Sequence, residues 1–186
     1  IMDERGGGQS EGKYITFGMC EKEDIHDWVM WAREKQNLPI YLYGTSMGAA
    51  TVLMVSLSLN GIVAGIIADS PFTQPYEELK DFAKRNIHLP EKPFMPSLNL
   101  LVKRTIKKDL KSIDSMELLK DTTMPIIIFH GELDFFCNVE VSKKIKELDY
   151  PNIDVYIYPD SNHCSSYVKH EKEYEAIIGN LINAKR

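Results

Sequence analysis

The chain has 186 residues, of which 44% are hydrophobic and 26% are charged, and its formal net charge is −5. This length and composition predict one globular domain, and the mild acidity without any basic stripe argues against a nucleic-acid partner. No apolar run approaches the roughly 18–20 residues of a membrane span, so the sequence predicts no integral membrane segment.

The first half of the chain alternates between predicted strands and helices. In chain order it predicts the end of a strand at residues 1–3, a glycine-rich loop at 5–12, a helix at 20–36, a strand at 39–43, a helix at 47–59 and a strand at 62–68. Apolar side chains of the first helix recur at i, i+3, i+4 and i+7, so we expect all four to face the core: Ile25, Trp28, Val29 and Ala32. Because residue 1 already belongs to a predicted element, we expect the natural protein to continue upstream.

The alternation breaks at residues 71–118, where prolines cluster and amphipathic helices are predicted near 75–86, 97–109 and 115–120. We interpret this segment as a helical lid inserted above the sheet, with a long crossover connection as the alternative. Strands at 125–129 and 153–158 and helices at 139–148 and 168–184 then resume the pattern. The whole predicts an α/β fold in which helices flank a mostly parallel sheet, with residues 1–70 and 119–186 forming the core.

Residues Gly44-Thr45-Ser46-Met47-Gly48 fit the pattern G-x-S-x-G between a predicted strand and a predicted helix. A turn of this kind holds its serine in a strained backbone conformation with the hydroxyl above the sheet. We expect both glycines to be required, because side chains at those positions would collide. We also expect the backbone amide of Met47, at the helix N-terminus, to face a developing oxyanion. A serine that merely caps the helix is the alternative.

A serine hydroxyl becomes a useful nucleophile near neutral pH only beside a base that a third group orients. His163, in the loop after the strand at 153–158, is predicted to be the base. Asp134, in the loop after the strand at 125–129, is predicted to be the acid that orients it, with Glu132 and Asp69 as alternatives. His130 is interpreted as a buried structural histidine.

Several segments together resemble a known superfamily: the loop Asp3-Glu4-Arg5-Gly6-Gly7-Gly8-Gln9-Ser10-Glu11-Gly12, the serine turn, Asp69-Ser70-Pro71-Phe72, residues 130–134 and His163. They are similar to the α/β-hydrolases, which share the chain order serine, acid, histidine. The nearest branch is the serine aminopeptidase-like and acyl-thioester-hydrolase-like bacterial one. The resemblance implies a hydrolase fold, a triad of Ser46, Asp134 and His163, and no cofactor.

The chain also departs from the family pattern. Its loop reads Arg5-Gly6-Gly7-Gly8 where the family usually has R-G-H-G, and the family's first strands are missing. The resemblance therefore implies that this is part of a longer enzyme, or that a second copy or another chain completes the sheet.

These predictions converge on a serine hydrolase that acts on small-molecule carboxylic esters or thioesters through an acyl-enzyme. A non-catalytic binding or scaffold module, a serine aminopeptidase and an acyltransferase are the alternatives. Apolar side chains of the lid segment are candidates to line an acyl-binding cavity, or else pack the lid onto the body: Phe72, Tyr76, Phe82, Phe94, Met95 and Leu98.

The cysteines and histidines show no spacing typical of a metal site. The three cysteines, Cys20, Cys137 and Cys164, are too few and too scattered for a disulfide framework. We therefore expect reduced thiols, no metal and a cytoplasmic location.

Overall fold

The computed structural model describes residues 2–183, which contain one four-stranded sheet. Its strands are β1 (Tyr41–Thr45), β2 (Gly65–Asp69), β3 (Ile126–Gly131) and β4 (Ile153–Tyr158), in the spatial order β1-β2-β3-β4. All three neighbouring pairs are parallel. Every residue of β2 and β3 is buried, whereas the outer strands β1 and β4 contain exposed positions. The continuous apolar runs thus mark strands covered on both faces.

Within the described range 2–183, seven α-helices connect and cover the strands. They are α1 (Glu21–Lys35), α2 (Met47–Val55), α3 (Pro75–Asn86), α4 (Glu91–Ile106), α5 (Ser115–Leu119), α6 (Glu140–Glu147) and α7 (Ser166–Asn183), and a short 3₁₀ turn spans Leu57–Leu59. Among the described residues, none of these helices is long and apolar enough to cross a membrane. The helices α3, α4 and α5 all lie between β2 and β3 in the chain, where the sequence predicts an inserted lid.

Each face of the sheet has its own apolar core. On one face, Ile66 and Ile128 pack in a cluster with Leu53 of α2 and with side chains of α1, α5 and α6. On the other face, Phe129 stacks on Tyr174 of α7. Because neighbouring residues of one strand point to opposite faces, Ile128 and Phe129 serve different cores. A third apolar cluster joins α3 and α4 to α2, through Ala50 and Met54.

The elements predicted from residue 20 onward are recovered, with shifts that have local causes. The strand predicted at 62–68 begins only at Gly65, because the N–H groups of Ile62 and Val63 donate back to Leu59 in a turn. The helix predicted at 97–109 begins at Glu91, is broken at Lys92 and ends at Ile106, where the next residue adopts a left-handed conformation.

Two expectations for the N-terminal region are wrong. Met2 and Asp3 are not in a strand; the Asp3 carboxylate instead accepts a hydrogen bond from the backbone N–H of Gln9 at 2.9 Å. Trp28 is 48% exposed, since only Ile25 and Val29 of its stripe reach the core. Ile1 and Ala184, which belong to predicted elements, lie outside the described residues.

Candidate active site

The turn between β1 and α2 places Ser46 at the carboxyl end of the sheet. Its backbone has φ 53° and ψ −118°, a conformation that L-residues adopt only when neighbours enforce it. The enforcement comes from both sides: the Ser46 N–H donates to the carbonyl of Asp69 at 2.8 Å, and the Ser46 carbonyl accepts from Ala50 at 3.0 Å. The sheet and the helix together therefore hold the serine in place.

The two glycines of the turn are not equivalent. A Cβ atom added to Gly44 would lie 2.3 Å from the carbonyl oxygen of Gly48, so no side chain fits at Gly44. A Cβ atom added to Gly48 would meet nothing within 4 Å among the described residues. The expectation that sterics require glycine at both positions is correct for Gly44 and wrong for Gly48.

The structure brings Ser46, His163 and Asp134 into one chain of contacts. His163 Nε2 lies 2.9 Å from Ser46 Oγ, and His163 Nδ1 lies 2.7 Å from Asp134 Oδ2. With an ionised Asp134, Nδ1 carries the ring proton and Nε2 accepts the hydrogen bond of the serine hydroxyl. The Asp134 side chain is fully buried, and that of His163 is 17% exposed. This arrangement can take a proton from Ser46 and hold the resulting imidazolium beside a carboxylate.

The loops that carry Asp134 and His163 are joined to each other directly. The N–H of Glu132 donates to Tyr158 at 2.8 Å, and the N–H of Leu133 donates to Ser161 at 3.0 Å. Gly131 makes this approach feasible, because a Cβ atom there would lie 2.3 Å from the carbonyl oxygen of Ser161. The backbone thus fixes the distance between acid and histidine.

The two carboxylate oxygens of Asp134 have different partners. Oδ1 accepts the N–H groups of Phe136 at 2.8 Å and Cys137 at 2.9 Å, which orders the acid loop. Oδ2 contacts His163 and lies 3.3 Å from Nε2 of the buried His130, whose Nδ1 bonds the Ser142 hydroxyl at 2.7 Å. His130 is fully buried, as the sequence predicts.

These contacts determine the charge of the pair. Burial alone raises the pKa of Asp134, but the neighbouring His130 and His163 outweigh burial and hold the pKa below its usual range. Burial lowers the pKa of His163, but its bond to Asp134 raises that pKa above the ordinary histidine value. The environment therefore favours an ionised Asp134 beside a basic imidazole.

The alternative acids lie elsewhere. Glu132 pairs with Lys143 at 2.6 Å, with its side chain 38% exposed. Asp69 is buried and accepts hydrogen bonds from Tyr174 at 3.0 Å and from Ser70 at 3.1 Å, and burial raises its pKa. Of the three carboxylates considered, Asp134 is the one that contacts His163.

A contact between Ser70 and Cys164, which the sequence did not predict, supports the loop that carries His163. Ser70 is fully buried, and its backbone has φ +57°. Its hydroxyl accepts a hydrogen bond from the N–H of Cys164 at 3.1 Å and donates one to Asp69. Ser70 therefore ties the end of β2 to the residue next to His163. The sequence signals were the position of Ser70 directly after a buried strand and its place in the family-like segment Asp69-Ser70-Pro71-Phe72.

The candidate substrate contacts are buried side chains of the segment 71–118. Phe72, Tyr76 and Met95 are between 0% and 4% exposed, and they form one apolar cluster with Cys137, against which Met47 packs. Lys111 also covers the ring of Tyr76, with Nζ 4.1 Å from its centroid. Their role as substrate contacts stays a prediction. Phe94 and Leu98 pack on the same cluster, whereas Phe82 faces a different neighbour, Phe136.

The glycine-rich loop is anchored although it lacks the histidine of the family pattern. The guanidinium of Arg5 pairs with the carboxylate of Asp24 on α1, and Glu4 accepts the hydroxyl of Thr51 on α2 at 3.0 Å. Within residues 2–183, no group of three or more histidine, cysteine or acidic side chains is arranged to hold a metal ion.

A parallel sheet covered by helices, with a serine at a strand–helix turn in contact with a histidine and an aspartate, defines the α/β-hydrolase class. Within that class the chain belongs to the family described as serine aminopeptidase, S33, whose sequence model matches residues 1–118. The match includes Ser46; Asp134 and His163 lie beyond it.

Two curated relatives are similar to most of this chain. An uncharacterized protein of Bacillus subtilis, YqkD, is 26% identical over 98% of this chain and 61% of its own length. The lysophosphatidylserine lipase ABHD12 of Danio rerio is 28% identical over 79% of this chain and 38% of its own length. The chain thus spans 61% and 38% of these two relatives.

Similar folds are found among solved structures. The esterase Pf2001 of Pyrococcus furiosus superposes with a TM-score of 0.74 at 24% identity, covering 98% of this chain and 68% of that one. A lipase-esterase related protein from Clostridium acetobutylicum gives 0.68 at 22% identity, covering 95% and 80%.

Proposed function

We propose that the protein is a serine hydrolase that cleaves carboxylic esters or thioesters through an acyl-enzyme. The observation that carries the proposal is the 2.9 Å contact between Ser46 Oγ and His163 Nε2, with Asp134 behind the ring. The family match supports a hydrolase, and similar solved structures that are named as an esterase and a lipase-esterase related protein favour the ester class.

In the proposed reaction, His163 Nε2 takes the hydroxyl proton as Ser46 Oγ attacks the acyl carbonyl. Asp134 keeps the proton of the neutral ring on Nδ1 and stabilises the imidazolium that forms. His163 then gives its proton to the leaving oxygen or sulfur, and the bond from that atom to the acyl carbon breaks. Water, activated by the same histidine, hydrolyses the acyl-enzyme and restores Ser46.

The proposed oxyanion donor is the backbone N–H of Met47, the first residue of α2. It follows Ser46 at the N-terminus of a nine-residue helix, where free N–H groups and the helix dipole favour negative charge.

The free state of Cys20, Cys137 and Cys164 supports a reducing compartment, and we place the protein in the cytoplasm.

The test is Ser46→Ala, with Ser58→Ala on an exposed serine as the matched control. We expect Ser46→Ala to abolish hydrolysis of p-nitrophenyl acetate and labelling by a fluorophosphonate, with a fall in kcat approaching about 10⁶-fold. Ser58→Ala should retain both. A fall under tenfold for Ser46→Ala would reject the role of Ser46. Labelling of Ser46 with turnover of aminoacyl amides but not of esters would instead favour a peptidase.

A further inference from the structure

Three phenylalanine rings form a continuous apolar surface beside the triad, which we call the aromatic shelf: Phe82 of α3 and Phe135 and Phe136 of the acid loop. The rings of Phe82 and Phe136 are stacked with centroids 6.1 Å apart and planes 10° apart. The rings of Phe135 and Phe136 follow at 4.4 Å. Lid and body thus contribute to one surface.

The shelf is joined to the catalytic histidine. The ring of Phe136 lies 5.2 Å from the imidazole of His163, centroid to centroid, at an angle of 51°. The backbone of Phe136 is fixed at both ends, because its N–H donates to Asp134 at 2.8 Å and its carbonyl accepts from Arg85 at 2.8 Å. These bonds would form with any side chain, so they do not explain the phenylalanine.

The shelf is also open to solvent. Phe135 is 55% exposed and Phe136 is 42% exposed, whereas the lid residues Phe72 and Met95 are at most 4% exposed. Packing onto the body therefore does not account for these two rings. An exposed pair of aromatic rings in mutual contact beside a reactive centre is typical of a surface that an apolar ligand covers.

The chemistry of His163 decides which part of a substrate lies there. In acyl transfer the histidine must reach the leaving atom to protonate it, so the group attached to that atom lies on the histidine side of the site. We infer that the aromatic shelf binds the leaving group, and that the preferred substrates are esters or thioesters of an alcohol or thiol with an aromatic or long aliphatic substituent. This inference rests on the proposed function.

The experiment compares leaving groups of similar reactivity in the full protein. The value of kcat/KM is measured for 2-phenylethyl acetate and for ethyl acetate, and the ratio of the two is compared between wild type and Phe135→Ala. We expect the ratio to fall about three- to tenfold, the range typical of one lost aromatic contact. Phe82→Leu, which removes a ring contributed by α3, should also lower the ratio of kcat/KM for 2-phenylethyl acetate to that for ethyl acetate.

The control is Leu101→Ala, which removes an apolar side chain that is 58% exposed on α4, and should leave the ratio unchanged. A second series varies the acyl side, with ethyl 3-phenylpropanoate against ethyl acetate; Phe135→Ala should not change that ratio. An effect on the acyl series alone, or on neither series, overturns the inference while leaving the hydrolase intact. If wild type hydrolyses p-nitrophenyl acetate but none of these three esters, the inference fails and the proposed function stands. If it hydrolyses none of the four and takes no fluorophosphonate label, both fail.

Discussion

At the residue scale, the two carboxylate oxygens of Asp134 have different roles. Oδ1 orders the acid loop through two backbone N–H groups, and Oδ2 orients His163. An asparagine can keep the first set of bonds through its amide oxygen. Its NH₂ group would then face Nδ1 and force the ring into the tautomer that cannot accept the Ser46 proton.

Asp134→Asn is therefore expected to lower kcat by about 10⁴-fold, as loss of the correct tautomer does elsewhere. The acidic limb of the residual kcat/KM profile, where activity falls as His163 becomes protonated, should also move to lower pH. The carboxylate raises the pKa of His163, so its removal lets the ring stay neutral to more acidic pH. Profiles of kcat/KM between pH 5 and pH 9 measure both effects.

Glu132→Gln is the matched control, since Glu132 pairs with Lys143 at the surface and should leave the profile unchanged. Retention of more than a tenth of the activity in Asp134→Asn would contradict the assignment.

The sequence could predict the meeting of Ser46, Asp134 and His163 because each follows a strand, and parallel strands end at one edge of the sheet. The supporting contacts of Ser70 and Phe136 depend on how two loops cross, and no periodicity encodes that. Hence the positions of reacting groups were predictable and those of their neighbours were not.

At the element scale, the serine turn offers a paired test. Gly44→Ala forces a Cβ atom against the carbonyl of Gly48, so we expect a loss of about 1–3 kcal/mol in the free energy of unfolding and a displaced Ser46. Gly48→Ala adds a methyl group in open space within α2 and should increase stability by up to about 1 kcal/mol. Chemical denaturation of both variants measures the difference; equal effects would contradict the asymmetry.

The helix α3 carries an unusual carboxyl group. Burial raises the pKa of Glu78 to about 7, and its partners, Arg85 and the backbone of Asn138, only partly oppose burial. Because this pKa is higher in the folded than in the unfolded chain, the folded state loses stability as pH rises from about 4.5 to about 7.

Glu78→Gln removes the buried charge and keeps an oxygen acceptor. We expect it to stabilise the protein by about 1–3 kcal/mol at pH 8 and by little at pH 4.5, where the wild-type side chain is already neutral. Melting curves at the two pH values measure this. Glu77→Gln, on the exposed side of the same helix, is the control, and a gain of equal size at both pH values would exclude the explanation.

Element prediction succeeded where burial alone decides the pattern. The strand predicted at 153–158 and the helix predicted at 75–86 match β4 and α3 residue for residue. It failed where a local hydrogen bond or backbone turn competes with apolar periodicity, as at Ile62 and Val63 and at the start of α4. Trp28 shows a further limit, because helical spacing does not say how wide the buried face is.

At the scale of the whole molecule, a polar chain links the helix layer behind the sheet to the active-site edge. Tyr174 of α7 donates to the buried carboxylate of Asp69, and Asp69 accepts from Ser70, which holds the N–H of Cys164. Tyr43 also contacts the Tyr174 hydroxyl at 3.3 Å. The back of the sheet and the histidine loop are thus connected through one buried acid.

Tyr174→Phe leaves one oxygen of Asp69 buried without this donor, and we expect a loss of about 1–3 kcal/mol at neutral pH. The Tyr174 hydroxyl donates to the ionised carboxylate. The stability difference between wild type and Tyr174→Phe should therefore shrink as the pH is lowered and Asp69 becomes protonated. Tyr43→Phe, at a ring that is 52% exposed, should lose under about 1 kcal/mol. Denaturant unfolding at several pH values compares the two; a larger effect at Tyr43 would contradict the link.

The helix that follows the nucleophile has a consequence for how the protein assembles. Seven consecutive residues of α2, Ala49–Val55, are buried, and they pack against the sheet, α1 and α5. A short helix without a polar face has no stable existence in water on its own. Ser46, the proposed nucleophile, can therefore acquire its geometry only after those neighbours have docked. A partly folded chain in which α2 has not yet packed would hydrolyse no ester. The recovery of ester hydrolysis during refolding would therefore report when α2 packs against its neighbours.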